Sequence, residues 1–363
     1  MKKARRPTIA YLTGDWAWGT EPLQPNGCAW YRCTLPMHQL QKHNWITGIG
    51  FPGYSHEKGF GLILADGKIV HGWDIIVFKL LMQRTVLEGM DRAKELGQKI
   101  VVDVDDWFEG LEKSNRAYEV TSAENNPDNN REIYSQIIQK ADAVITSTPF
   151  LFDYYAAKRK NVFLVRNGID EGRWKPKRWG PQKKLRVGWV GATPWRSNDL
   201  EQLAPWFSDF IQQNNLLFHH SGHTPNAPLA NELLGVPQVS TKILPLVPIM
   251  QYPKLFEPID IGIVPLNNVK FNHAKSFIKG LEYAAASVPF ISSYSPEYQF
   301  LADAGVGRVA HSADEWLAHM EELMYHKARV AEIKKNLANI KQFTMTERGL
   351  DWDATYRFIL ENL

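Results

Sequence analysis

Cysteine is scarce: Cys28 and Cys33 are the only two in 363 residues. With no second pair they form neither a disulfide framework nor a zinc signature, and they fit a reducing, cytoplasmic setting. Long apolar runs are missing as well, and none approaches the ~20 residues of a membrane span. The basic start "MKKARRP" has no apolar stretch behind it, which argues against a secretory signal. Neither sign of charge is in large excess. A formal net charge of +3 falls short of the basic patch of a dedicated nucleic-acid binder. There is no short repeat or low-complexity tract. The thirteen tryptophans, by contrast, are many. Aromatic faces suit sugar rings and nucleobases, and equally a core.

The length and composition, 44% apolar and 22% charged, predict a globular protein of two domains. Short apolar runs alternate with helical patterns. "TIAYLT" precedes a helix-like "WYRCTLPMHQLQKH"; then come "DIIVFKL", "VLEGMDRAKELG", "KIVVDVD", "REIYSQIIQKA", "AVITST" and "NVFLVRNGID". The pattern restarts with "LRVGWVG", "DLEQLAPWFSDFIQQ", "LLFHHSG", "TKILPLV", "DIGIVPL" and "PFISS". Such alternation predicts α/β architecture: two Rossmann-like doubly wound domains, each a parallel sheet flanked by helices, facing a cleft. The expected division is 1–172, a Pro-, Gly- and charge-rich linker 173–184, and 185–345. "DWDATYRFILEN" brings Trp352, Tyr356 and Ile359 to one apolar face. Residues 346–363 are therefore expected to pack back on the first domain. In open α/β sheets, ligands bind beyond the carboxyl ends of the strands.

"NHAKSFIKGLEYAAAS", residues 272–287, reads as one helix with its charges reversed. Lys275 and Lys279 come early and Glu282 late, whereas a helix prefers acids first. At 100° per residue the three fall at about 0°, 40° and −20°, a single polar stripe. Asn272 is a good N-cap. Lysines beside a helix start make an anion site, because free N–H groups and the dipole favour phosphate. A carboxylate further along can accept hydrogen bonds from a ribose diol. The layout suits a nucleoside diphosphate lying along the helix. The plain alternative is the solvated side of an amphipathic helix.

"NHAKSFIKGLEYAAASVPFISS" resembles the donor-binding helix of family-4 glycosyltransferases, a retaining group with the two-domain GT-B fold. The mark of that family is Glu, seven residues, Glu, then small residues and a Val-Pro strand. Glu282 matches the second Glu, which implies ribose binding. Ala274 stands where the first would fall, a departure that bears on the donor-sugar contact. A branch with an N-x-A-K-S-x-x-K-x-L-E-Y-A-A pattern has the same form. "NGCAWYRCTLPMHQL", "ADAVITSTPFLFDYYAAKRKNVFLVRNGID" and "RVGWVGATPWRSNDLEQL" resemble further segments of that branch, in order along the chain.

The resemblance implies roles at the other strand ends. Gly27 would let backbone approach donor phosphates or acceptor. Arg32, on the first turn of the following helix, would pair with a phosphate or acid of the acceptor. Gly191 and Arg196 match a phosphate-binding glycine turn and arginine. His223 is a candidate to flank the base. Asn272, Lys275, Ser276 and Lys279 complete the donor set. Asp105 and Asp106 would end a strand near the donor sugar or acceptor hydroxyl. Asp103-Val-Asp105 also matches the Asp-x-Asp of metal-dependent single-domain enzymes. The cations and helix start make a metal unnecessary, so no cofactor is expected beyond a nucleotide-diphosphate sugar donor.

The reading is sugar transfer from such a donor, with retention, to an unidentified acceptor: a glycan, a protein, a lipid or a modified DNA base. Asp105, Asp106, Arg196 and Lys275 are the expected catalytic residues. Two alternatives stand beside it, a sugar-nucleotide epimerase of the same fold and a noncatalytic nucleotide- or glycan-binding protein.

Overall fold

The computed structural model describes residues 5–17, 21–177, 184–196, 198–222 and 227–363. The chain divides into two compact units, Met1–Glu109 with Glu119–Gly168 and Met345–Leu363, and Gly110–Tyr118 with Ile169–Thr344. Residues 110–118, which the sequence assigns to the first domain, belong to the second unit. There the Asn115 amide donates to the Trp195 carbonyl at 3.2 Å, and Arg116 lies 5.8 Å over the Trp195 ring. No helix among the described residues is long and apolar enough to cross a membrane.

The first sheet contains β1 (Thr8–Thr13), β2 (Ile46–Ser55), β3 (Gly59–Ile63), β4 (Ile69–Val70), β5 (Ile75–Lys79), β6 (Lys99–Val104), β7 (Ala143–Thr146) and β8 (Val162–Leu164). Their spatial order is β8-β7-β6-β5-β1-β2-β3-β4. Pairing is parallel from β8 to β2, and β3 and β4 extend the sheet antiparallel. β1 and β5 are buried along their whole length, as central strands covered on both faces must be. The sequence reading has no strand between the first helix and "DIIVFKL", where the structure has three. Glycine and proline lower strand propensity there, but packing requires the glycines. A Cβ on Gly48 would sit 2.3 Å from a Leu62 methyl, and one on Gly61 would sit 2.4 Å from the Val70 carbonyl oxygen.

The second sheet contains β9 (Arg186–Val190), β10 (Leu217–Ser221), β11 (Thr241–Ile243), β12 (Ile261–Val264), β13 (Phe290–Ser293) and β14 (Arg308–Ala310), in the order β11-β10-β9-β12-β13-β14 and parallel throughout. This is the 3-2-1-4-5-6 order of a doubly wound sheet, whose direction of winding reverses between β9 and β12. Its core packs Phe207, Phe218, Trp316 and Met320 around the central strands.

The C-terminal helix, Met345–Asn362, is part of the first unit. Trp352, Tyr356 and Ile359 are all buried. Tyr356 meets Tyr11 of β1 edge to face at 6.2 Å, and the Trp45 indole donates to Asp353 at 2.7 Å. Arg357 donates to the His43 carbonyl at 2.9 Å. The helix thus crosses back to the first unit, as its single apolar face requires.

His219 in β10 is buried, with Arg186 and Lys242 nearby. Burial, then those cations, push its pKa down to about 4. Its Nδ1 has no hydrogen-bond partner among the described residues, which suits a neutral ring. Because the folded value lies below the ordinary 6.5, the unfolded chain takes up the proton first as pH falls. The stability contribution is complete above about pH 6.5 and is lost on descent towards pH 4. After discounting for solvent screening, urea midpoints at pH 7 and 4.5 are expected to show about 1–2 kcal/mol less acid destabilisation in His219→Gln than in the parent. Equal acid losses in the two would remove His219 as the cause.

Candidate donor and acceptor sites

Both sheets carry charged side chains at their carboxyl ends, where the winding reverses. In the second unit Gly191 follows β9 and Gly222 follows β10. Gly222 has φ +95°, and a Cβ there would lie 1.5 Å from the Gly191 carbonyl oxygen, so only glycine fits. A Cβ on Gly191 would come within 3.0 Å of the Arg196 guanidinium. The Arg196 Nε is buried without a hydrogen-bond partner among the described residues. His223, expected to flank the base, lies outside the described residues.

Asp199, 1% exposed, is the centre of this cluster. It accepts from the Asn267 backbone N–H at 3.0 Å and the Asn272 amide at 2.6 Å. Its other oxygen meets Lys275 at 3.4 Å, with Arg196 at 4.0 Å. The single helix expected over 272–287 is interrupted. A short turn, Lys270–His273, ends before Ala274, and the helix proper is Ile278–Ala285. Asn272 is therefore not its N-cap. It lies buried in the preceding turn, holding Asp199 and the Asn267 carbonyl. Lys275 and Ser276 lie in the connecting segment, before the helix start. Phe277 occupies the cap position with no side-chain hydrogen bond. The sequence carries no glycine or proline at the break, because tertiary hydrogen bonds to Asp199 impose it.

The reversed charges resolve into two pairings. Lys275 is held by Asp199, and Lys279 meets Glu282 at 2.9 Å, one turn apart. Glu282 also accepts from the Tyr252 hydroxyl at 3.1 Å, and Lys279 bonds that same hydroxyl. Burial, followed by the Glu282 charge, pushes the Tyr252 pKa well up. Glu282 is 2% exposed, so the stripe is an engaged polar network and not a solvated face.

In the first unit the carboxyl ends of β1, β5 and β6 bring Asp15, Lys79, Asp103 and Asp105 together. Lys79 is fully buried; it meets Asp103 at 3.2 Å and also pairs with Asp105. Burial alone would lower its pKa, but Asp105 and Asp103 hold it well above the usual lysine value. Burial likewise pushes Asp105 up, and the Lys79 ammonium more than reverses this, leaving it below the ordinary range. Asp15 receives the Ala29 N–H at 2.8 Å, and its pKa is raised, chiefly by burial.

Arg32 sits on a π-helical turn, Trp30–Thr34, and is 0% exposed. Its guanidinium meets Asp103 at 2.8 Å, donates to the Val165 carbonyl at 2.7 Å and Asn167 at 3.0 Å, and lies 4.5 Å over Trp352. That is the setting of a buried ion pair. Asp103 is committed to two cations and is also 0% exposed. Asp106 is half-buried beyond the end of β6. Gly27 is exposed, and a Cβ on it would meet nothing within 4 Å. Sequence reasoning missed Lys79, Asp15, Asp199 and Tyr252. A charged residue closing or following an apolar strand is the signal for the first two.

The sequence matches no family model and no curated protein. Solved structures do match. A sucrose-phosphate synthase from Thermosynechococcus elongatus superposes with TM-score 0.67 at 13% identity, over 97% of this chain and 98% of that one. A glycosyltransferase from Rickettsia africae ESF-5 gives 0.62 at 12%, over 99% and 100%. Anabaena HepE, in complex with UDP and glucose, gives 0.62 at 14%, over 99% and 100%. At such identities the likeness speaks for architecture alone. With two Rossmann-like doubly wound units and a C-terminal helix returning to the first, the chain has the GT-B fold.

Proposed function

We propose that the protein is a glycosyltransferase that moves a sugar from a nucleotide-diphosphate donor to an acceptor, with retention and without a metal. The observation that carries this reading is the cluster at the second unit's switch point. Arg196 and Lys275 gather at Asp199, beside the uncapped start of the Ile278–Ala285 helix. A helix start with adjacent cations favours a diphosphate. Lys279 and Glu282 follow one turn on, where a ribose would lie, and Tyr252 gives way as the diol takes its place on Glu282. The HepE structure, which holds UDP and glucose, supports a uridine nucleotide as the first donor to test. The free thiols of Cys28 and Cys33 are consistent with a reducing, cytoplasmic setting.

The step breaks the bond between the anomeric carbon and the phosphate oxygen and forms one to the acceptor oxygen on the same face. The acceptor proton passes to the leaving phosphate. Arg196, Lys275 and the helix start stabilise the developing charge. Asp105, held by Lys79, and Asp106 orient the acceptor.

Glu282→Gln keeps the shape but replaces an acceptor oxygen with a donor. Calorimetry with UDP is expected to show binding weakened by about 1–3 kcal/mol. Unchanged affinity would make Glu282 a partner of Tyr252 and Lys279 alone. Turnover of labelled donor into free diphosphate is expected to survive chelator. A loss restored by manganese or magnesium would overturn the metal-free step, and nucleotide binding without any sugar release would favour the noncatalytic alternative.

A further inference from the structure

A cavity of about 230 Å³ opens on the second unit. Its walls carry Arg173, Lys175, Lys177 and Lys254 against one acid, Glu257. Its polar base lies at the opposite end of the sheet from the Asp199 cluster, while Trp174 on its wall meets the Tyr252 ring edge to face at 6.5 Å. Lys177 bonds Asp260 at 2.9 Å, and Asp260 precedes β12 and clasps Arg186, the first residue of β9, at 2.7 Å. These are the amino ends of the strands, whereas Gly191, Asp199 and Lys275 lie beyond the carboxyl ends. Ala286, also on the wall, caps the far end of the helix whose start faces the donor.

Two of the cations are fixed in place. The Arg173 side chain is 9% exposed; it meets Asp170 at 2.8 Å and donates to the Ile249 carbonyl at 2.6 Å. Lys177 is 11% exposed. Lys175 and Lys254 are exposed and make no ion pair among the described residues. The cavity therefore has a base of two fixed cations, each paired with a carboxylate, two exposed ammonium groups, and an apolar wall of Trp174, Met250 and Pro253.

We propose that this cavity binds a compact phosphate-bearing anion, at a site separate from the donor diphosphate and independent of the donor reading above. A dense charge in a small volume matches a phosphate group. The apolar wall matches a small organic body attached to it. An extended polyanion needs a long basic stripe, which neither the cavity's size nor the chain's net charge of +3 supplies.

The test is calorimetric titration with inorganic phosphate and with a hexose 6-phosphate, against chloride at equal ionic strength. The parent, Lys175→Gln/Lys254→Gln and Lys275→Gln are compared. Binding is expected in the parent, roughly tenfold weaker in the exposed-lysine pair, and unchanged in Lys275→Gln. Tighter binding of the hexose phosphate identifies a phosphorylated metabolite; equal binding identifies the free ion. Either supports the site. No phosphate binding at millimolar concentration overturns it. So does binding lost in Lys275→Gln and intact in the exposed-lysine pair, which would assign the anion to the donor site. Failure of UDP to bind would sink the donor reading and leave this result standing.

Discussion

A chain ending at residue 344 is expected to lose the cooperative unfolding of its first unit. The missing helix carries Trp352, Tyr356 and Ile359, all at most 1% exposed. Each fully buried large apolar side chain contributes ~1.5–3 kcal/mol. Together the three contribute roughly 5–9 kcal/mol, comparable with the ~5–15 kcal/mol that holds a whole domain. Removal also strips the indole from the Arg32 guanidinium and leaves the Trp45 indole without Asp353. Calorimetry of the shortened chain is expected to retain the transition of the second unit and lose that of the first. Tyr356→Ala serves as the milder variant, with an expected cost of about 3–5 kcal/mol. A shortened chain that kept both transitions would mean the helix rests on the first unit without supporting it.

That helix was legible because three apolar residues at helical spacing leave one face to cover. The central strands were legible for a similar reason, since "TIAYLT" and "DIIVFKL" are apolar on both faces. What escaped was fixed by neighbours distant in sequence. The strands through Gly48, Gly53 and Gly61 have the composition of a loop. Only the Leu62, Ile69 and Val70 groups that press on them show why glycine is needed. The break before Ile278 is written in Asp199, which lies 73 residues from Asn272, and periodicity cannot register such a bond. The anion reading of Lys275 and Lys279 rests on charge order. In the structure only Lys279 lies on the helix, and Lys275 precedes it. Arg32 reads in the sequence as a cation for a phosphate or acid of the acceptor, and nothing local announces that Asp103 and Trp352 enclose it.

Asp103→Asn is expected to cost the first unit about 3–5 kcal/mol, the usual penalty for removing one partner of a buried ion pair. The carboxylate lies between Arg32 and Lys79, all three at 0% exposure. Neutralising it leaves two buried cations facing one remaining carboxylate, Asp105. Urea unfolding reads the loss directly. The double variant Arg32→Met/Asp103→Leu separates pairing from packing. It removes charge and countercharge together, so it is expected to be less destabilised than the sum of the single changes. Manganese added to the parent is expected to leave its unfolding midpoint where it was, because the oxygens of Asp103 are already committed to cations. A midpoint that rose with manganese, and did so only while Asp103 was present, would make the Asp-x-Asp a metal site after all. An unaltered midpoint in Asp103→Asn would show that Lys79 and Arg32 draw their support elsewhere. Lys79 bridges Asp103 and Asp105, so the same change also tests the acceptor-orienting role proposed for Asp105. With Asp103 neutral, the ammonium is drawn wholly to Asp105, and turnover is expected to fall further than donor affinity does.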